Sequence, residues 1–170
     1  MGILMSERFN SLEDLFHHEL KDLYDAEQRI TEALPQMAEK AHNPELKGAF
    51  EEHLRQTEKH VERLESVFQH RGHQPERVKC DGIVGLIKEG GNVLSAEGDP
   101  DAIDAGLIAA AQKVEHYEIA GYGTARAWAQ RLGYDQAARL LQETLEEESM
   151  ANEKLTRIAE SHVNMEAQYK

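Results

Sequence analysis

Ala110-Ala111-Gln112-Lys113-Val114-Glu115-His116-Tyr117-Glu118-Ile119 sets two carboxylates where a helix should present an apolar face. Within the series Ile108, Ala111, Tyr122 and Ala125 the segment continues a stripe of helical spacing, and Glu115 and Glu118 fill the middle of that stripe. The same interruption recurs in three other helical patterns. Leu20, Leu23, Ile30 and Leu34 leave a gap that holds Glu27. His53, Gln56, Thr57 and His60 interrupt Phe50, Leu54, Val61 and Leu64. Thr144, Glu147 and Glu148 lie between Leu141 and Leu155. All four patterns turn polar at about mid-height.

Breakers separate these patterns. His42-Asn43-Pro44 ends the first, Arg71-Gly72-His73-Gln74-Pro75 the second, Gly98-Asp99-Pro100 precedes the third, and Arg131-Leu132-Gly133-Tyr134 closes it. The predicted helices span 11–41, 44–71, 100–131 and 135–165, with a kink or shifted boundary expected at Pro35. Ser11 and Asp14 suit a capped start for the first, and Pro44 and Pro100 suit the first turns of the second and third. The long stretch between the second and third predicts a short helix over 82–95. Two helical hairpins joined by one long crossover is the ferritin-like wiring of a four-helix bundle, whereas an up-down-up-down bundle needs only a short central loop. The chain is therefore expected to be all-α, a ferritin-like bundle whose crossover contains a short helix. A shift of ninety-one positions superimposes Glu27 on Glu118, Pro44 on Asp135, Phe50 on Leu141 and Leu54 on Leu145, so break and stripe fall in register.

A chain of 170 residues suits one domain, here 1–170 with a flexible 1–10. Its 40% apolar and 30% charged residues suit amphipathic helices with wide solvated faces. Cys80 stands alone and makes no internal disulfide, and MGILMSERFN lacks the apolar run of a signal peptide, which together predict a cytoplasmic protein. No stretch is apolar enough to cross a bilayer, so no membrane partner is expected. The net charge of −13, with no basic stripe, argues against nucleic acid as a partner.

Buried carboxylates are costly when unpaired and repel one another when close, and metal ions relieve both penalties. Carboxylate and imidazole ligands suit iron or manganese, and bundles of this kind use them for paired metals. The candidate ligands are Glu27, His53, Gln56, Glu115, Glu118 and Glu147, with Tyr24 or Tyr117 as nearby hydrogen-bond donors. Each residue also has a plainer reading: Glu27 as a core-edge acid paired with a cation, His53 as a hydrogen-bonded core histidine, Glu146-Glu147-Glu148 as a mostly solvated face. The coincidence across four helices favours the metal centre.

Leu23-Tyr24-Asp25-Ala26-Glu27, His53-Leu54-x-Gln56-Thr57, the 110–119 segment and Glu143-Thr144-Leu145-Glu146-Glu147-Glu148 resemble the YciF/YciE family of bacterial stress-induced proteins over 12–158. The resemblance implies a ferritin-like bundle, a dimetal centre like that of rubrerythrins, and homodimers. The chain departs from the broader ferritin pattern, which takes a Glu-x-x-His from each of two helices. The literal match, Glu39 to His42, sits at the end of the first helix, and the second offers His53-x-x-Gln56 with the order reversed and an amide for the acid.

Two functions from different classes follow. In the first, Glu27 and Glu118 are symmetric ligands of two metal ions, completed by His53, Glu147 and Glu115; iron is the leading metal and manganese the alternative, oxidised by oxygen or peroxide. In the second, the chain is a non-enzymatic stress-induced helical dimer that binds a protein partner, with metal structural or absent. A two-fold homodimer is expected in either case, through a face bearing Trp128, Tyr134 and Ile103.

Overall fold

The computed structural model describes residues 7–169. Residues 1–6 of the expected flexible N-terminus lie outside them, and 7–10 lead without regular structure into the first helix. The helices are α1 (Leu12–Lys40), α2 (Pro44–His70), α3 (Asp81–Leu94), α4 (Pro100–Arg131) and α5 (Asp135–Ile158), followed by a π-helical turn (Ala159–Val163) and a short α6 (Asn164–Gln168). The described residues contain no strand.

The helix starts are those that the capping chemistry dictates. Ser11 Oγ accepts from Asp14 N at 3.1 Å, Asn43 Oδ1 from Glu45 N and Leu46 N, and Asp99 Oδ1 from Asp101 N and Ala102 N. Gly133 ends α4 at φ 79°, a conformation that admits glycine freely, and Tyr134 N then reaches back to Ala129 O at 2.9 Å. α1 runs through Pro35 to Lys40 with no boundary at the ring, which sits at an exposed position. One expectation is corrected: the last helix does not continue to 165 as α-helix but widens into the π turn at Ala159.

The apolar residues form two cores, one at each end of the bundle. Ile30, Leu34, Leu46, Phe50, Leu107, Ile108, Leu155 and Ile158 pack together at one end. Phe16, Leu20, Leu23, Leu64, Phe68, Tyr122, Ala129 and Leu141 pack at the other. Rising residue numbers in α1 and α5 therefore meet falling numbers in α2 and α4, so each hairpin is antiparallel and α2 and α4 run the same way. A chain that ends α2 at one end and begins α4 at the other must cross the length of the bundle, and 71–99 does so, carrying α3 against α1 and α4.

Asp25 ties this crossover down: its carboxylate accepts from Cys80 N at 2.8 Å and Arg77 Nε at 2.9 Å, beside its own-helix partner Arg29. Gly82 then passes so close to Tyr117 that a side chain there would overlap the ring. Trp128, Tyr134 and Ile103, expected on an outer face, are half-buried against the two cores.

Candidate metal centre

Between the two cores lies a polar layer. Glu27 from α1, His53, Thr57 and His60 from α2, Glu115 and Glu118 from α4, and Thr144 and Glu148 from α5 are all buried. The layer brings four carboxylates and two imidazoles together without a buried Lys or Arg among them.

Two groups can be distinguished, and Glu148 belongs to both. His53, Glu115, Glu118 and Glu148 form one, and Glu27, His60 and Glu148 the other; in each, one donor atom per residue lies within 4.8 Å of all the rest. Glu148 Oε1 is 2.8 Å from His60 Nδ1, and its Oε2 is 3.5 Å from His53 Nε2. His60 Nδ1 is also 3.3 Å from Glu27 Oε1, and His53 Nε2 is 3.2 Å from Glu115 Oε1. A carboxylate that gives one oxygen to each group has the form of a bridge.

These atoms converge without being aligned as hydrogen bonds. Glu27 Oε2, His53 Nε2, His60 Nδ1, Glu115 Oε2 and both oxygens of Glu118 and Glu148 have no hydrogen-bond partner, although all are buried. Buried polar atoms left this way are rare in native proteins and call for a specific cause. Thr57 resolves its own polarity by donating to His53 O.

The far sides of the imidazoles are fixed. His60 Nε2 lies 2.8 Å from Glu147 Oε2, and Arg63 grips the same carboxylate at 2.7 and 2.9 Å. His53 Nδ1 lies 3.3 Å from Gln56 Oε1. When the rings are neutral, a proton held on the nitrogen that faces each oxygen would turn the lone pairs of His60 Nδ1 and His53 Nε2 to the cluster, as histidine ligands backed by carboxylates and amides do. Glu147 and Gln56 thus stand behind the imidazoles, while Glu27, His53, Glu115 and Glu118 stand within the layer itself. His60 and Glu148, from the same polar gaps of the stripes but outside the candidate set, complete it.

The expected tyrosines point elsewhere. Tyr24 donates to Glu65 Oε1 at 2.8 Å, and Tyr117 to Asp22 Oδ2 at 2.8 Å. The tyrosine of the layer is Tyr122, whose hydroxyl donates to Glu27 Oε1 in a very short bond. Burial, then the neighbouring Glu27, hold this phenol protonated far above its ordinary range.

The electrostatics follow from crowding. Burial pushes the Glu115 carboxyl up to about 7. Burial and then Glu115 push Glu148 up to about 8. Glu118 rises well above the ordinary carboxylate range through burial, then Glu148, Glu27 and Glu115. Burial disfavours charge on His60, yet Glu27 and Glu148 outweigh it and raise the imidazolium to about 11. Arg63 holds Glu147 down at about 2 against its own partial burial.

The sequence profile of a family described as a domain of unknown function (DUF892) matches residues 11–168. The chain belongs to this family. It is 45% identical over 161 residues to Protein YciF of Escherichia coli (strain K12), a match covering 94% of this chain and 97% of that protein. Among solved structures, the E. coli stress protein YciF aligns with a TM-score of 0.88 at 44% identity, covering 92% of this chain and 99% of that one. YcfI from Rhodopseudomonas palustris aligns with a TM-score of 0.86 at 46% identity, covering 90% and 98%. A protein of Xanthomonas campestris pv. campestris, 20% identical, shares the fold with a TM-score of 0.73 over 94% of this chain and 98% of its own.

In this DUF892 chain two openings reach the layer, both at its His53–Glu115 edge. A cleft of about 350 Å³ between α2 and α5 is lined by Glu52, Gln56, Met150 and Lys154. A smaller cavity of about 50 Å³ lies under α3. No helix among the described residues is long and apolar enough to cross a membrane.

Proposed function

We propose that this YciF-like chain is a stress-related protein that holds two divalent metal ions, iron first and manganese as the alternative, in its mid-bundle layer, for redox chemistry with oxygen or peroxide. The observation that carries this reading is the set of buried, unpartnered donor atoms on Glu27, His53, His60, Glu115, Glu118 and Glu148. Hard oxygen and imidazole donors in this proportion suit iron and manganese. Charge supports two ions over one. Four carboxylates with two neutral imidazoles carry four negative charges, which two divalent cations balance.

Glu27 and His60 would hold one ion, His53, Glu115 and Glu118 the other, and Glu148 would span them. When bound, the pair supplies electrons to an oxidant. The chain's own residues do the rest. Glu147, locked by Arg63, would hold a proton on His60 Nε2, so that the proton a metal displaces from the imidazolium is the one on Nδ1. Gln56 would likewise hold a proton on His53 Nδ1. Tyr122 donates to one oxygen of Glu27 and leaves the other, Oε2, available. The two apolar cores shut water out above and below the layer, which strengthens every charge interaction within it.

The test is metal stoichiometry. Metal-free protein titrated anaerobically with ferrous ion, or with manganous ion, is expected to take up two equivalents per chain. His60→Ala and Glu148→Ala are expected to lose at least one, and Glu62→Ala, at an exposed position, to lose none. Full uptake by both site variants would leave the layer as a network of buried ion pairs, and the non-enzymatic reading would lead.

A further inference from the structure

The cavity under α3 differs from the cleft in kind. Leu34 of α1, Leu86 and Ile87 of α3 and Ala111 of α4 wall it, and among the described residues its polar lining side chains are those of His53 and Glu115. Both of those side chains are more than nine-tenths buried, and each keeps an atom, His53 Nε2 and Glu115 Oε2, without a hydrogen-bond partner. The apolar chamber therefore abuts two residues of the candidate centre.

We infer that this chamber is a binding site for a small apolar gas molecule, and that, resting on the function proposed above, it delivers dioxygen rather than peroxide to the His53–Glu115 edge. Size and polarity both favour this occupant. About 50 Å³ exceeds what a single water requires, yet a water needs two to four polar partners and these walls offer almost none. Hydrogen peroxide, with two donors and several lone pairs, would lose its hydrogen bonds to water and gain none from leucine and isoleucine. A hydrated cation would lose still more. Dioxygen has no hydrogen bonds to lose. Polar oxidants and cations have the other route, the α2–α5 cleft beside Glu52 and Gln56.

Xenon, which resembles dioxygen in size and polarity, is the probe, and the metal-free protein suffices for it. Xenon-pressurised crystals or xenon NMR of the wild type are expected to place the atom against Leu86 and Ala111. Gly90, on α3, lines the chamber, and a Cβ there would meet only Ala110 Cβ at 3.6 Å. Gly90→Leu therefore fills the chamber from its outer wall while replacing a poor helix former by a good one. It is expected to lose the xenon site. In the metal-loaded protein it should slow dioxygen-driven oxidation about tenfold and leave the peroxide-driven rate within about twofold. Ala111→Leu, plugging from α4, checks the result from a second wall. A folded wild type with no xenon in the chamber would overturn the inference, as would equal slowing of both oxidants. Failure to bind metal would sink the proposed function alone, because the xenon measurement stands without it.

Discussion

Glu147 Oε2 lies 2.8 Å from His60 Nε2, on the side of the ring away from the cluster. Its carboxylate is in turn clamped by Arg63 through both terminal nitrogens. The pair thus fixes which nitrogen of His60 keeps its proton when the imidazolium loses one, and leaves Nδ1 facing Glu27 and Glu148. Removing such a backing carboxylate costs metal sites about 10- to 100-fold in affinity. Glu147→Ala is expected to weaken binding by that amount without changing the stoichiometry at saturating metal. Glu147→Gln, which keeps an acceptor, should lose less. Competition titration against a chelator of known affinity measures both, and an affinity equal to wild type in the alanine variant would remove Glu147 from the site.

Glu118 tests the balance between metal and stability. Its two oxygens are buried and without hydrogen-bond partners, and three carboxylates surround it. Without a cation the carboxyl lies buried with neither oxygen paired, a cost whether or not it holds its proton, and a packed apolar side chain of similar size removes that cost. Glu118→Leu should therefore raise the melting temperature of the metal-free protein while abolishing high-affinity metal binding. Thermal melts with and without metal decide it. A metal-free variant less stable than wild type would mean that Glu118 makes a stabilising contact as a neutral acid.

The pH dependence has a definite sign. Folding raises the carboxyl pKa of Glu115 to about 7 and of Glu148 to about 8, both from 4.5, so the native metal-free protein binds these protons more tightly than the unfolded chain. Their contribution is fully present below the unfolded value and is lost as pH rises through the folded ones. Glu19, raised to about 7 by burial and then Asp22, acts in the same direction. His60, raised from 6.5 to about 11, acts in the same direction above about pH 6.5 and completes its loss only near pH 11. Glu147, lowered to about 2, stays ionised throughout. The metal-free melting temperature should accordingly fall between about pH 5.5 and about pH 8.5. Metal binding must displace the protons of Glu115, Glu148 and His60, so affinity should rise over that window, with proton release visible to an indicator dye. A metal-free melting temperature that rises across the window would contradict the assignment.

The bundle was legible because its turn chemistry is local. Pro44, Pro100 and Gly133 mark boundaries that the structure keeps, and the length between the second and third helices already required a crossover. The polar layer was legible as a gap in each stripe. Choosing residues within each gap was harder, and a spacing of seven resolves it. Glu148 lies seven residues from both Leu141 and Leu155, as Glu27 does from Leu20 and Leu34, and Glu118 from Ala111 and Ala125. His60 lies seven from His53 and from Val67. Two turns of helix return a side chain almost to the same face, so these residues share the buried line. Gln56 and Glu147 sit off it and are only half-buried. The site tyrosine was hidden for the opposite reason. Tyr122 belongs to the apolar stripe by spacing, and only the approach of α1 to α4 brings its hydroxyl to Glu27.

Asp25 shows how the crossover, which the sequence places but does not fasten, is held. Its buried carboxylate receives Cys80 N, Arg77 and Arg29, joining α1 to the chain just ahead of α3. Asp25→Ala would leave a buried backbone N–H without a partner and free two partly exposed guanidinium groups. The orphaned N–H costs about 1–3 kcal/mol, and the arginines add little because solvent already screens them. For a domain of this size a loss of about 2 kcal/mol lowers the melting temperature by about 4–8 °C. Metal stoichiometry should be unchanged, since Asp25 touches none of the six donors. Hydrogen exchange should localise the loosening to the segment around Cys80 and α3, with α2 and α5 protected as before. A variant that melted as wild type would show that the packing of α3 on α1 and α4 alone seats the crossover.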